Sequence, residues 1–390
     1  PLATDGIWTQ TFALFVDAYR DLQSRKLFWL TLLLSVGVAA AFGSVGINEY
    51  GISIFGKVVR SPYNANVIPP GTFYKFLYTE FAIPYWLGFF AAILALIAVG
   101  GIFPDMIGSG SIELYLSRPI GRLRLFLTKY AFGLLFAALQ VLLFSIASFF
   151  VIGLRSGTWE PGIFLSVPLV TLFFSYLYCV CVLIGIVTRS ALAAILLTSL
   201  FWAALYVVHN TDMVLTTFSV AADHRVEQQK KVVEMNEAVL RRNEALPPDQ
   251  RGNVSQFQFQ RDRQKELLDD YEQTARNLRW WQQTIVMVKT PLPKTNETVE
   301  LMTRWLVEPD PIMAAQQRES ERREQRRAEI GGPATRNADF LGRIANSPEV
   351  SQKVYADLQL RKLGWVVGTS VAFEAFVLGI AAWIFCRRDY

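Results

Sequence analysis

A chain of 390 residues that is 52% hydrophobic and only 18% charged carries more apolar surface than a soluble domain of that size can bury. The net charge of +5 follows from basic residues flanking apolar runs, so it calls for no nucleic acid. Cys179, Cys181 and Cys386 lie within or at the end of such runs and outline no disulfide framework.

In chain order, the first feature is an aromatic stripe. Trp8, Phe12, Phe15, Tyr19 and Leu22 recur in steps of four and three, opposite Asp17, Arg20 and Asp21. This predicts an interfacial helix over 1–26, its aromatic face at the headgroup boundary. Six apolar runs follow, at about 27–47, 81–103, 130–153, 163–187, 191–208 and 365–385. Each approaches the roughly 20 residues that a helix needs to cross about 30 Å of hydrocarbon. None reads as a removable signal peptide.

Basic residues set the expected orientation. With the N-terminus inside, the short inner segments hold Arg20, Arg25, Lys26, Arg118, Arg122, Arg124, Lys129, Arg189, Arg387 and Arg388, against Lys57, Arg60, Lys75 and Arg155 outside. Both termini are therefore expected in the cytoplasm of a multi-pass protein of the cell membrane, in a bacterium the inner membrane. Residues 48–80 are expected to lie on the outer membrane surface, and Thr188, Arg189 and Ser190 to close a tight hairpin between the fourth and fifth spans.

At His209 the composition changes: acids and bases nearly cancel, and Gln, Glu and Arg dominate up to the last span. Residues 211–363 are expected to form an extracytoplasmic helical insert, since long domains cross the membrane largely regardless of charge. Leu267, Tyr271, Thr274, Leu278, Trp281, Ile285 and Val288 keep a four-three spacing, and Val232, Met235, Val239 and Leu246 share one side of an earlier helix. With Pro247, Pro248 and Gly252 between them, the two predict an antiparallel, coiled-coil-like hairpin. Further helices are expected over 311–330 and from Ser347-Pro348-Glu349. Trp280 lies off the seam, either packed within the insert or free to bind a partner.

Between spans two and three, residues 104–124 interrupt the apolar sequence with PDMIGSGSIELYLSRPIGRLR. Pro119 disfavours helical geometry at Arg118, so a short helix ends there and the next span starts near Gly121. The product is a rigid, amphipathic and accessible piece at the inner face. An ordinary basic inner loop would explain Arg118, Arg122 and Arg124, but not Glu113 or the Ser-Arg-Pro order.

GSIELYLSRPIGRLRLFLTKY resembles the inner loop of permease subunits of type-two ABC exporters, with its Gly-Thr/Ser-x-Glu-x-x-Leu-Ser-x-Pro-x-x-Arg pattern. The terminal AAWIFCRRDY and the LPKTNE element at 292–297 are similar to the same family, so the resemblance covers roughly 1–210 and 290–390. It implies an all-α polytopic subunit with six transmembrane helices, dimeric assembly with an identical or different second permease subunit, and a loop seated in a separate ABC ATPase subunit. Carried over residue by residue, Glu113, Ser117, Arg118, Pro119 and Arg122 match the loop pattern and would couple to that ATPase. The family usually has short re-entrant outer helices between spans five and six, where this chain has its insert.

No G-x-x-x-x-G-K-[ST] loop occurs, so ATP hydrolysis is expected in the partner and no cofactor in this chain. His209 and His224 have no metal-ligand spacing around them, and they and the nearby Asp212 and Asp223 read as surface polar residues. Glu374 falls mid-span, where a charged carboxylate costs about 2.5–3.5 kcal/mol by insertion scales. It is either a gating or substrate-path carboxylate or a structural one satisfied by a Ser, Thr or Tyr of a neighbouring helix. Gln140 in the third span poses the same choice, with helix packing favoured.

The sequence thus predicts an exporter permease whose partners are an ATPase, a second permease subunit, an extracytoplasmic auxiliary protein and membrane lipid. The other reading is a membrane scaffold whose extracytoplasmic coiled coil recruits proteins without moving a solute.

Overall fold

In hydrocarbon an apolar segment has no water to satisfy its backbone, and a helix satisfies it without a partner strand. The chain is mostly helical. A computed structural model describes residues 16, 20, 26–60, 64–65, 68–108, 121–247, 253–306, 350, 353–354 and 363–388. The described elements run α1 (Lys26–Ser44), β1 (Val45–Asn48), β2 (Gly51–Ile54), β3 (Lys57–Arg60), α2 (Pro70–Gly108), α3 (Arg122–Ser156), α4 (Pro161–Thr188), α5 (Ala191–Glu244), α6 (Val254–Lys289), α7 (Thr295–Leu306) and α8 (Gly364–Arg387).

Helices α2, α3, α4, α5 and α8 are long and apolar enough to cross a membrane, and they contain five of the six expected runs. The remaining run forms α1, whose apolar stretch Trp29–Ser44 is shorter. The expected interfacial helix and the helices expected over 311–330 and from 347 fall almost wholly outside the described residues.

Three boundaries differ from expectation. Helix α2 continues to Gly108, past the expected 103 and into the segment 104–124 expected as a loop. Helix α2 begins at Pro70, ahead of the expected 81, with Pro at its first position where no N–H is needed. Pro84 inside it cannot donate, and the turns from Tyr78 to Ala91 widen to an i→i+5 pattern around it. Helix α5 does not stop where the composition changes at His209 but runs unbroken to Glu244.

An all-α chain was the expectation, and 45–60 departs from it as an antiparallel meander in the order β1-β2-β3. Asn48 pairs with Gly51 and Ile54 with Lys57, so both connections are two-residue turns. The second holds Phe55 at φ 47° and Gly56 at φ 79°, the pair of left-handed residues that a tight hairpin of this hand requires. The alternation in GISI and KVV was too brief to separate from loop by pattern alone.

The chain divides into two units: Pro1–Tyr206 with Pro291–Glu319 and Leu363–Tyr390, and Val207–Thr290 with Ser320–Lys362. In the first, α1 packs on α3, and the Arg155 guanidinium donates to the Gly43 carbonyl at 2.7 and 3.0 Å near the C-terminal end of α1. The Tyr78 hydroxyl donates to Ser166 at 3.0 Å, and Ser145 and Ser166 lie 2.8 Å apart, so three buried hydroxyls of α2, α3 and α4 satisfy one another. Helix α7 buries Leu301 and Met302 against α4 and α2, and Thr303 donates to Glu80 at 3.1 Å.

In the second unit α6 runs antiparallel to the later part of α5. Asp212 meets Lys289, Thr216 meets Gln282, Lys230 meets Glu272 and Glu237 meets Lys265, so the numbers fall on one helix as they rise on the other. Asn253 caps α6, its side chain accepting from the Gln256 N–H at 3.3 Å. The seam is only partly the expected one, with Tyr271, Leu278 and Ile285 half-buried as expected. Asp212, Thr216, Ser219, Ala222, Val233 and Leu240 are buried on α5, and Ala275 and Lys289 on α6. The expected Val232, Met235, Val239 and Leu246, and Leu267, Trp281 and Val288, are exposed, most of them one residue from a seam position. Small side chains at 219, 222 and 275 let the helices approach and polar pairs fill the rest, which leaves the large apolar residues outside.

Candidate functional site

The carboxyl group of Glu374, half-buried on α8, is met from two other helices. The Tyr130 hydroxyl of α3 donates to Oε1 at 2.8 Å, and the Ser175 hydroxyl of α4 lies 2.8 Å from Oε2. Both partners are positioned by packing. Tyr130 stacks on Tyr178 with ring centroids 5.1 Å apart and planes 10° from parallel, and Tyr178 stacks in turn on Phe174 at 5.6 Å. Phe174 and Tyr178 share a face of α4 through their i, i+4 spacing. The stack fits only because residue 133 is glycine: a Cβ there would sit 2.5 Å from the Tyr178 ring.

Hydrogen-bond capacity defines what this site can do. Ser175 has one proton and two acceptors at 2.8 Å, Glu374 Oε2 and the Leu172 carbonyl. Its hydroxyl can turn to either, so the carboxyl group accepts from Tyr130 and can accept a second hydroxyl from Ser175.

Of the residues assigned to ATPase coupling, Glu113, Ser117, Arg118 and Pro119 lie outside the described residues. Arg122 is described, in the first turn of α3. Its Nη1 donates to the carbonyls of Cys386 and Arg388, each at 3.0 Å, at the C-terminal end of α8. The Arg388 guanidinium donates to the Ile186 carbonyl near the end of α4 at 2.7 Å. Two arginines thus occupy the negative ends of two helices and join them to the start of a third.

Gln140, on α3 with Tyr130, is 2% exposed and faces Leu87, Ala91, Val170 and Phe173 around a void of about 10 Å³. That void has about the volume of a single water probe. The Gln140 Nε2 finds no acceptor among the described residues. Trp280 is 58% exposed and meets Trp281 edge to face at 4.7 Å; Trp281, expected to pack in the seam, is 55% exposed.

One reading is corrected. His209 and Asp212 are not surface polar residues: Asp212 is fully buried, and Lys289 Nζ lies 2.7 Å from its Oδ2 and 3.4 Å from His209 Nδ1. Asp223 and His224 are more open, with Asp223 beside Arg279 at 3.6 Å. Sequence reasoning missed Tyr130, Ser175 and Lys289. Lys289 had a signal, because Leu268, Ala275, Gln282 and Lys289 recur every seventh residue. Tyr130 and Ser175 had none, since their meeting with Glu374 depends on three separate helices.

Among the described residues no group of three or more His, Cys, Asp and Glu side chains is placed to hold a metal ion. Compared with protein-family models, with curated proteins and with solved structures, the chain matches none.

Proposed function

We propose that this chain is the transmembrane permease subunit of an ABC exporter, with six spans, cytoplasmic termini and a coiled-coil-like extracytoplasmic insert. A separate ATPase subunit would drive it through residues 104–124, and a second permease subunit would complete the pathway. The observation that carries the reading is the junction at Arg122. The loop bearing the exporter-like sequence leads into α3 at this residue, which is bonded to the end of α8, while Arg388 bonds that end to α4. A displacement of that segment would thereby reach three helices together. Glu374 of α8 meets hydroxyls of α3 and α4, so a carboxyl group stands where the same three helices join, as a gate or substrate-path group would.

A second reading, a membrane scaffold recruiting an extracytoplasmic partner, is favoured by the exposed apolar residues Trp280, Trp281, Met287 and Val288 on α6. ATP hydrolysis by the complex purified from native membrane into nanodiscs separates the two. The exporter reading predicts hydrolysis stimulated by transported solute and abolished by Arg118→Ala. Hydrolysis indifferent to every solute and to that substitution supports the scaffold.

A further inference from the structure

A cleft of about 600 Å³ opens beside Glu374 between α3, α4 and α8. Leu134 and Ala138 wall it from α3, Val167 and Leu172 from α4, and Val371 and Leu378 from α8. This is the size and lining of a small-molecule site, where a mostly apolar surface holds a few polar groups that fix orientation. The polar groups are Glu374, Ser175 and Thr171. Thr171 lies one helical turn from Ser175 on the same face of α4. Its hydroxyl oxygen is buried and has no hydrogen-bond partner among the described residues, which is costly unless a ligand or water supplies one.

The two hydroxyl donors leave acceptor capacity on both Glu374 oxygens, since an ionised carboxylate offers about four lone-pair sites. Glu374 lies near the middle of the 24-residue α8, about halfway through the hydrocarbon at ~1.5 Å per residue. A cation there gains from the low dielectric, whereas a neutral group leaves the charge uncompensated. A site of this volume takes one alkyl chain in preference to a two-tailed lipid.

We propose that the cleft binds single-chain amphiphiles bearing an ammonium group and an adjacent hydroxyl, the ammonium on Glu374 and the hydroxyl on Thr171. The alkyl chain lies along the apolar walls. The inference concerns binding by this chain alone and stands with or without an ATPase partner.

The test uses the full chain in phosphatidylcholine nanodiscs, with equilibrium binding of octadecylamine, octadecanol and 2-aminooctadecan-1-ol. Glu374→Gln is expected to weaken both amines roughly tenfold or more, the scale of a lost charge-assisted hydrogen bond, with octadecanol little changed. Thr171→Val is expected to erase the preference for the amino alcohol over the simple amine. Ala138→Leu, which fills the wall, is expected to block all three. Thermal melting checks the fold of each variant, and if Glu374→Gln does not fold, the other two decide. Equal amine binding by wild type and a folded Glu374→Gln overturns the proposal, as does undiminished binding by Ala138→Leu. Spontaneous disulfide crosslinking of two chains through Ala375→Cys, blocked by none of the amphiphiles, also overturns it, because a second copy then fills the cleft.

Discussion

Replacing Lys289 by Met strips a buried carboxylate of its cation. Lys289 Nζ lies 2.7 Å from Asp212 Oδ2, with the two side chains 5% and 0% exposed. Bare attraction at that separation is on the order of 6 kcal/mol at an effective dielectric near 20, and desolvation of both ions opposes it. Removing one partner leaves the other ion buried and uncompensated and typically costs about 3–5 kcal/mol, so Lys289→Met or Asp212→Ala should destabilise the α5–α6 hairpin by that amount. Asp212→Leu with Lys289→Met removes both charges at similar volume and should return to within about 1–2 kcal/mol of wild type. Amide hydrogen exchange on peptides 205–220 and 282–292 of the full chain in detergent reads the local opening energy directly. A loss of 3 kcal/mol appears as exchange faster by roughly a hundredfold or more. Single variants that exchange less than about fivefold faster, or a double variant as unstable as the two singles summed, would refute the claim that the pair is a coupled buried unit.

Arg122→Ala orphans two helix-end carbonyls and should cost about 1–3 kcal/mol by thermal melting in detergent; Arg122→Lys should recover only part, lacking the planar guanidinium. Gly133→Ala drives a methyl group into the buried Tyr178 ring and should cost about 1–3 kcal/mol, with a changed tyrosine near-ultraviolet dichroism as the Tyr130 stack shifts. The Glu272 carboxyl is held below its ordinary value by the Lys230 ammonium hydrogen-bonded to it at 3.0 Å. Its contribution is therefore present above the usual glutamate range and lost as pH falls through its lowered value. The difference in melting temperature between wild type and Glu272→Gln should shrink to nothing on acidification below that range. Trp280→Ala should change stability by no more than about 0.5 kcal/mol, as expected of an exposed side chain.

The long apolar helices were legible because length and composition constrain such a helix independently of its neighbours. Five expected runs lie in membrane-length helices, but their ends shifted where a polar segment kept the helical backbone: α5 crosses His209 because nothing in LYVVHNTDMVL breaks a helix. The hairpin seam was half legible. Tyr271, Leu278 and Ile285 sit in or beside it, while Leu267, Trp281 and Val288 gave way to Leu268, Gln282 and Lys289. Counting apolar residues favoured the bulky set, whereas close approach favoured Ala275 and the polar pairs. At the site, the cost of a mid-span carboxylate singled out Glu374 and the kinds of hydroxyl that would meet it. Which hydroxyls these are depended on how α3, α4 and α8 pack, and no local pattern carries that.

The coupling role proposed for residues 104–124 is tested most directly by recovering the full chain from native membrane under mild detergent and identifying what comes with it. The account predicts a nucleotide-hydrolysing subunit with a phosphate-binding loop in near-equal amount, lost from Glu113→Ala and Arg118→Ala chains that still reach the membrane. Equal recovery of that subunit with both variants, or no such subunit with the unaltered chain, contradicts it.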